Sequence, residues 1–300
     1  MTGFDVQAIR AQFPILSQTI RGKPFVFLDS GASAQKPRAV IDAMRDAMET
    51  QYANVHRGLH WMSERTTEAY EGVRDSIAKL MNARDRSEIV ITQSVTGSLN
   101  LMAHSFGRGL LKPGQAVVIS AMEHHSNIVP WQMLRDERVG HMRHRHEADG
   151  KVGLVSMTHM SNVLGTVAPA ERIVRIAHAH GAKVLFDGAQ AIVHRRVDVQ
   201  ALGCDFYAWT GLYGPTGIGV LWGRRELLDA MPPFLGGGDM ISSVSFERST
   251  WAETPHKFEA GTPPILEGIG LKAAIDWVLG IGYDAIAAHE AALVDHALAR

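Results

Sequence analysis

The alternation of short apolar runs with longer amphipathic stretches after Glu88 is the feature that most constrains how this chain can fold. The apolar runs are rich in β-branched and aromatic residues, which is typical of buried strands. Between them, residues 127–138 and 169–180 have helical spacing, and Gly181 stands where a helix commonly ends. The pattern predicts an α/β fold with a mostly parallel sheet covered by helices on both faces. The predicted strands are residues 89–93, 116–120, 154–160, 182–186, 205–209 and 217–222.

Length and composition allow a large buried core and argue against several partners. The chain has 300 residues, 46% of them hydrophobic and 20% charged, so one large domain, or one with an appended piece, is expected. A net charge of -1 without blocks of like charge gives no field that would gather nucleic acid. No apolar run approaches the roughly 18 residues of a membrane span. The single cysteine, Cys204, cannot form an intrachain disulfide, which favours a reducing, cytoplasmic location.

Polar side chains follow three consecutive predicted strands. His124, Asn162 and Asp187 stand just after the second, third and fourth strands. Ligands of open parallel sheets bind at the carboxyl ends of the strands, so these residues predict a cofactor pocket. Taken alone, Asp187 fits a carboxylate that caps the following turn equally well. A metal site is disfavoured there, because no second carboxylate lies near Asp187 in sequence.

Other conspicuous residues are interpreted as structural. The run 141–146, which holds three histidines, alternates as a strand does and is interpreted as a polar strand face rather than a metal site. Cys204, Trp131 and Trp209 are predicted to lie in the core. No metal is therefore expected.

Several short strings resemble one known family in content and in order along nearly the whole chain. They are LDS from Leu28, ASAQKP from Ala32, VHRG from Val55, EHH from Glu123, SNVLG from Ser161, DGAQ from Asp187, YGPTG from Tyr213 and FEAGTP from Phe258. These strings are similar to those of the Suf-type (group II) cysteine desulfurases, which are pyridoxal 5'-phosphate (PLP) enzymes of the class V aminotransferase type.

The resemblance implies a fold-type I PLP enzyme with a seven-stranded, mostly parallel sheet. It assigns Asp187 to the pyridine nitrogen of PLP and Gln190 to the ring hydroxyl. His124 would stack on the ring and move protons at the substrate, as the catalytic residue. Asn162 would lie beside the ring hydroxyl and the substrate carboxylate.

Three threonines complete the implied cofactor site. Thr96 would bind the phosphate at the start of a helix, together with nearby backbone N–H groups. Thr210 belongs to the family string Ser/Thr-Gly-His-Lys and is placed among the cofactor-binding residues. Thr262 resembles the threonine that reaches the phosphate of the partner subunit, which implies a homodimer with shared sites.

The implied reaction removes sulfur from L-cysteine, leaves alanine and forms an enzyme persulfide for iron–sulfur cluster assembly. A sulfur-acceptor protein of the Suf system is the implied partner. Three alternatives remain: a selenocysteine lyase, another class V PLP enzyme such as a kynureninase-like one, and a homologue that binds PLP without catalysis.

The chain departs from the family pattern at several points. Thr210-Gly211 runs directly into Leu212-Tyr213, so the His-Lys pair is missing, and with it the lysine that binds PLP covalently. The family also has a helix where Gly153 here runs straight into the next strand. At the phosphate turn, Val95-Thr96-Gly97 replaces the usual Thr-Thr-Glu. The printed chain is expected to be inactive.

The implied domain organisation has three parts. Residues 1–20 are expected to form a helical segment and residues 21–264 the large PLP-binding domain. Residues 265–300 are expected to begin a small C-terminal domain. Its loop with the persulfide-forming cysteine, and the arginine for the substrate carboxylate, would lie beyond Arg300.

Overall fold

The computed structural model describes residues 4–56, 58–137 and 151–300 of the chain. The described strands are β1 Thr19–Ile20, β2 Lys23–Pro24, β3 Ile89–Thr92, β4 Ala116–Val118, β5 Val152–Thr158, β6 Lys183–Asp187, β7 Phe206–Thr210, β8 Gly219–Gly223, β9 Ile241–Val244 and β10 Ser249–Trp251. The described helices are α1 Val6–Arg10, α2 Arg38–Thr50, α3 Trp61–Met81, α4 Val95–Leu101, α5 Val129–Glu137, α6 Ala170–Ala179, α7 Ala191–His194, α8 Val199–Leu202, α9 Arg225–Ala230, α10 Ile265–Ile281 and α11 Tyr283–Leu298.

The described residues form a central six-stranded sheet in the order β3-β8-β7-β6-β5-β4. The pairs β4–β5, β5–β6 and β6–β7 are parallel, whereas β8 is antiparallel to both of its neighbours. Strand β8 therefore runs against the other five, and the sheet is mixed but mostly parallel. This confirms the α/β fold class predicted from the strand and helix alternation.

All six strands predicted from the apolar runs are present, with ends displaced by at most two residues. The two helices predicted between them are also present, as α5 and α6. Gly181 follows α6 with a φ of +73°, and the N–H of Ala182 bonds the carbonyl of Ala177, which is how a left-handed C-terminal residue ends a helix. The seventh strand implied by the resemblance stays a prediction, because the described part of the sheet has six strands. The run 141–146, interpreted as a polar strand face, lies outside the described residues.

Helices cover both faces of the sheet because alternate strand residues are apolar on either side. In β6, Val184 and Phe186 belong to one buried cluster, and Leu185 belongs to the other. The first cluster packs beneath α3, α6 and α10, and the second beneath α4 and α5. Trp131, Trp209 and Cys204 are fully buried, as predicted. Burial raises the pKa of the Cys204 thiol, which suits a core residue rather than a reactive one.

Helix α10 packs into the same core as the central six-stranded sheet. Its buried residues Leu271, Ile275 and Val278 join the same cluster as Tyr70 and Ile77 of α3. Residue 265 thus begins a helix that shares the core of the preceding residues. The division of the chain after residue 264 stays a prediction.

Gly188, directly after β6, is a position where a close approach requires glycine. A Cβ added there would overlap the ring of Tyr207 on the neighbouring strand β7. We expect Gly188→Ala to lower the free energy of unfolding by about 1–3 kcal/mol or more, because a fully buried ring in a packed core cannot move aside cheaply. Denaturant unfolding measures this.

Gly280 in α10 provides the matched control, because a Cβ added there meets nothing within 4 Å. Gly280→Ala should leave stability unchanged or raise it by about 0.5–1 kcal/mol, through the lower entropy of the unfolded chain. Equal unfolding free energies for the two alanine variants would contradict the packing argument.

Candidate functional site

The five strands that run in one direction end at the same edge of the sheet. Thr92 of β3 and Thr210 of β7 both pair with Gly219 at the start of β8, and Thr158 of β5 lies opposite Asp187 of β6. The predicted site residues follow these strand ends, so they gather along one edge. This is the position in which an open α/β sheet binds its ligand.

Asp187 is the last residue of β6 and is buried, with 4% of its surface exposed. Its Oδ1 accepts the N–H of Ala189 at 3.0 Å, so the turn-capping alternative is also realised. Burial raises the pKa of its carboxyl to about 6, and the charge of Glu123 adds to this. Within residues 4–56, 58–137 and 151–300, no cation forms an ion pair with Asp187. A buried carboxylate without a cationic partner fits a protonated pyridine nitrogen.

His124 begins the turn after β4 and is exposed. The backbone N–H of Ser126 donates to its Nδ1 at 3.2 Å, and the Ser126 hydroxyl lies 2.7 Å from the same atom. Because Nδ1 accepts a backbone N–H, the neutral ring carries its proton on Nε2. The turn therefore fixes which nitrogen of His124 can donate.

A buried polar network lies directly behind His124. Glu123 accepts hydrogen bonds from Ser120 and Asn127, and Asn127 in turn accepts from Trp131 and Ser156. Sequence analysis did not single out this network. In the sequence, this network appears only as a run of polar residues between two buried elements. An ordinary surface loop shows the same pattern, so the network could not be predicted.

A second buried pair, which was not predicted from the sequence, contacts the end of β6. Nδ1 of His159 and the hydroxyl of Tyr207 are 2.8 Å apart. The backbone N–H of His159 donates to the backbone carbonyl of Asp187 at 2.8 Å. Burial lowers the pKa of His159 to about 4, so this ring is neutral near pH 7. The pair holds the backbone of Asp187 without adding charge.

Thr96 is exposed in the first turn of α4, which continues into a π-helical segment, Met102–Gly107. The hydroxyl of Ser94 caps this helix by accepting the N–H of Gly97 at 3.1 Å. A Cβ on Gly219 would overlap the backbone of Ser94, so β8 packs directly against this turn. The hydroxyl of Thr96 is thus presented at the strand edge on a fixed turn.

Thr262 lies in the loop before α10 and lines a cavity of about 100 Å³ together with Gly97, the residue after Thr96. A buried ion pair fixes this loop, because Arg74 of α3 binds both carboxylate oxygens of Glu259. Oε1 of Glu259 also accepts the N–H of Ile91 at 2.7 Å. Thr262 and the residue next to Thr96 therefore border one cavity within a single chain. The role of Thr262 toward a partner subunit stays a prediction.

The remaining predicted residues make different contacts. Gln190 donates its amide to the carbonyl of Gly31 at 3.1 Å, which ties the N-terminal loop to the site. The hydroxyl of Thr210 donates to the carbonyl of Ile218 at 2.6 Å, so it keeps only its capacity to accept. Asn162 is exposed on the turn after β5.

The segment where the resemblance leads one to expect His-Lys forms a tight left-handed turn. Gly211, Leu212 and Tyr213 have φ values of +91°, +52° and +61°. Leu212 is fully buried, and Tyr213 packs against the rings of Phe13 and Trp277. Two consecutive non-glycine residues in this region are strained, and they are held by the packing of their side chains.

Lys183 lies away from this strand edge. It opens β6 at the opposite edge of the sheet, and its Nζ lies 3.3 Å from Asp205. Lys36 follows the loop that Gln190 contacts at Gly31. Its Nζ donates to the carbonyl of Ala34 at 2.5 Å, and burial lowers its pKa.

Comparison with known proteins identifies the family. The sequence model for the class-V aminotransferases matches residues 26–300. The chain belongs to the class-V aminotransferase family. A cysteine desulfurase of Dickeya dadantii is 50% identical to it, over 99% of this chain and 76% of the relative. A cysteine desulfurase of Serratia proteamaculans is 47% identical, over 98% of this chain and 77% of the relative.

Solved structures of class-V relatives share the fold. A cysteine desulfurase of Escherichia coli superposes with a TM-score of 0.85 at 39% identity and covers 99% of this chain and 78% of its own. The apo cysteine desulfurase of Thermococcus onnurineus gives a TM-score of 0.88 at 34% identity, over 99% and 76% of the two chains. The fold class is therefore that of the PLP-dependent cysteine desulfurases.

The described parts of the chain contain neither a membrane-spanning helix nor a cluster of metal ligands. No described helix is both long and apolar enough to cross a membrane. Among residues 4–56, 58–137 and 151–300, no group of three or more His, Cys, Asp or Glu side chains could hold a metal ion. The histidine-rich run 141–146 lies outside these ranges.

Proposed function

We propose that this chain is a cysteine desulfurase-type PLP protein whose site is built for the desulfuration of L-cysteine. The observation that carries the proposal is the buried Asp187, which lacks a cationic partner among the described residues and lies at the strand edge where the family binds its cofactor. Identity of 50% to a cysteine desulfurase supports the substrate class.

The predicted site residues would have different roles, according to their chemistry. PLP, when bound, supplies an electron sink that stabilises negative charge at the substrate Cα. Asp187 would hold the ring nitrogen protonated, and His124 would stack on the ring and present its Nε2 proton to the substrate. Gln190 and Asn162 would orient the ring hydroxyl, with Asn162 also close to the substrate carboxylate. Thr96, Thr210 and Thr262 would bind the phosphate end or line its pocket.

The absence of a lysine between Gly211 and Leu212 limits what this chain does with PLP. A lysine there binds the cofactor covalently and moves the Cα proton, and here the left-handed turn closes without one. Alignment with the Dickeya relative extends over 313 positions against the 300 residues of this chain, so the relative has residues where this chain has none. The turn that closes without a lysine supports noncovalent PLP binding and an inactive chain.

Two alternatives within the family remain. A selenocysteine lyase, or another class V enzyme, would use the same Asp187, and only the groups around the substrate would differ. A homologue that binds PLP without catalysis fits the missing lysine directly. Release of alanine from cysteine or from selenocysteine would favour a catalytic alternative, whereas the absence of both is the result expected of a chain without the lysine.

The proposal includes partners and a location. A homodimer with shared sites is proposed from the resemblance of Thr262 to the family's threonine, and the exposed apolar side chains of Leu28, Leu59 and Phe246 support the presence of an assembly face. A sulfur-acceptor protein of the Suf system would receive the sulfur. The single buried cysteine supports a cytoplasmic location.

A titration of the purified chain with PLP tests the proposed function. We expect saturable binding, seen as quenching of protein fluorescence, and loss of the cofactor on gel filtration because no covalent bond holds it. Neither sulfide nor alanine should form from L-cysteine. Absence of saturable PLP binding would contradict the proposal, and steady release of alanine would show that the missing lysine is not needed.

A further inference from the structure

Glu123 makes two short, directed hydrogen bonds in a buried position. The hydroxyl of Ser120 donates to Oε1 of Glu123 at 2.5 Å and accepts the N–H of Met122. The side-chain amide of Asn127 donates to Oε2 at 2.6 Å. Both oxygens of Glu123 therefore act as acceptors, which is the pattern of a carboxylate.

The network continues to the sheet and to α5. Oδ1 of Asn127 accepts from Nε1 of Trp131 at 3.0 Å and from the hydroxyl of Ser156 at 2.6 Å. Asn127, Trp131 and Ser156 are fully buried. Because Ser156 lies on β5, this network clamps the turn that carries His124 onto the sheet.

The same network brings a second negative charge to the Asp187 end of the sheet. Ser156 stands two residues before Thr158, and Thr158 is paired with Asp187 across the ladder. The titratable groups that act on Asp187 or contact the end of β6 are Glu123 of the β4 turn, whose charge raises the pKa of Asp187, and the hydrogen-bonded pair His159 and Tyr207. His159 is neutral and Tyr207 is buried, with Arg195 acting on both of them.

We propose that Glu123 is a positioning residue of the cofactor site, which clamps the His124 turn and holds a second negative charge beside Asp187 for a cationic ring. The proposal rests on the proposed PLP site and adds a residue to which the family strings gave no role. A purely structural acceptor would need the two hydrogen bonds but not the charge. The charge is therefore the property to test.

The first test measures the ionisation of Asp187 in the cofactor-free chain. Aspartate labelled with ¹³C at the side-chain carboxyl reports each carboxyl by NMR, and the Asp187 signal is identified by its loss in Asp187→Asn. We expect Glu123→Gln to lower the titration midpoint of Asp187, because a nearby negative charge is removed. An unchanged midpoint in Glu123→Gln would overturn the proposal.

Glu88 supplies the matched control. It is also a buried carboxylate, accepting from Trp222 Nε1 and from the N–H of Arg84, both at 3.0 Å, but it lies at the amino end of β3. Glu88→Gln should leave the Asp187 midpoint unchanged. Glu123→Asp keeps the charge while losing hydrogen-bond geometry, so it should keep the midpoint raised.

A second measurement needs no variant of Glu123. With ¹³C at the glutamate carboxyl of the otherwise unaltered chain, the Glu123 signal should shift at the midpoint of Asp187, and Asp187→Asn should abolish that shift. Independence of the two signals would overturn the proposal even if Glu123→Gln does not fold. Neither measurement uses PLP, so failure of the wild-type chain to bind PLP contradicts the proposed function separately.

Discussion

Inserting His-Lys between Gly211 and Leu212 is expected to convert a chain without a covalent cofactor into one that binds PLP covalently and stoichiometrically. The insertion restores an amine at the strand edge beside Thr210. It also lengthens a turn in which three consecutive residues have positive φ. Leu212 and Tyr213 are anchored in the core and can keep their packing.

Mass spectrometry after borohydride reduction measures the result. The inserted chain should carry one pyridoxyl group on the new lysine, and the unaltered chain none at a defined lysine. Inserting His-Ala at the same point is the matched control, because it changes the length of the turn without adding an amine. A stoichiometric adduct on the unaltered chain would show that another lysine serves, and Lys36→Arg would test whether it is Lys36.

Asp187→Ala is expected to weaken PLP binding more than any other single substitution among the predicted ligands. Leaving one member of a buried charge pair alone costs about 3–5 kcal/mol, or at least about 100-fold in Kd. Thr96→Ala removes one hydrogen bond to a charged group, about 1.5–3 kcal/mol. Fluorescence titration compares the two variants, and an equal or larger loss for Thr96→Ala would reject the ranking.

The Asp187 carboxylate, which is expected to strengthen PLP binding, should lower the stability of the cofactor-free chain. Its pKa is about 6 in the folded protein against an ordinary value of 3.8, so the folded state binds more protons between these values. Stability should therefore fall as pH rises from about 4 to 6, by up to about 3 kcal/mol in this nearly fully buried group. Asp187→Asn should remove this fall and raise stability at pH 8 while weakening PLP binding.

Thermal unfolding of the cofactor-free chain between pH 4 and pH 8 checks the sign. Asp5→Asn is a suitable control, because Asp5 is exposed at the start of α1. If Asp187→Asn lost stability at pH 8, the carboxylate would have a partner that offsets its burial. The argument for a cationic ring at Asp187 would then fail.

Much of the fold followed from local patterns in the sequence. Runs of β-branched and aromatic residues determine buried strands through their own packing, so all six strands were predicted to within two residues. The residues after each strand were predictable as site candidates, because the carboxyl ends of parallel strands must share one edge. Asp187 is the clearest case, since it ends an apolar strand and its position at this edge of the sheet follows from the strand itself.

Only the tertiary structure decided which polar groups meet. Arg74 and Glu259 form a buried ion pair across 185 residues of sequence, and Gln190 reaches Gly31 across 159. The strand register places Thr158 opposite Asp187, and this brings the network of Glu123 to the site. Such contacts depend on register and layer packing, which no local pattern encodes. The sequence therefore determined the elements and the ligand edge, whereas the fold decided which side chains set the charge beside Asp187.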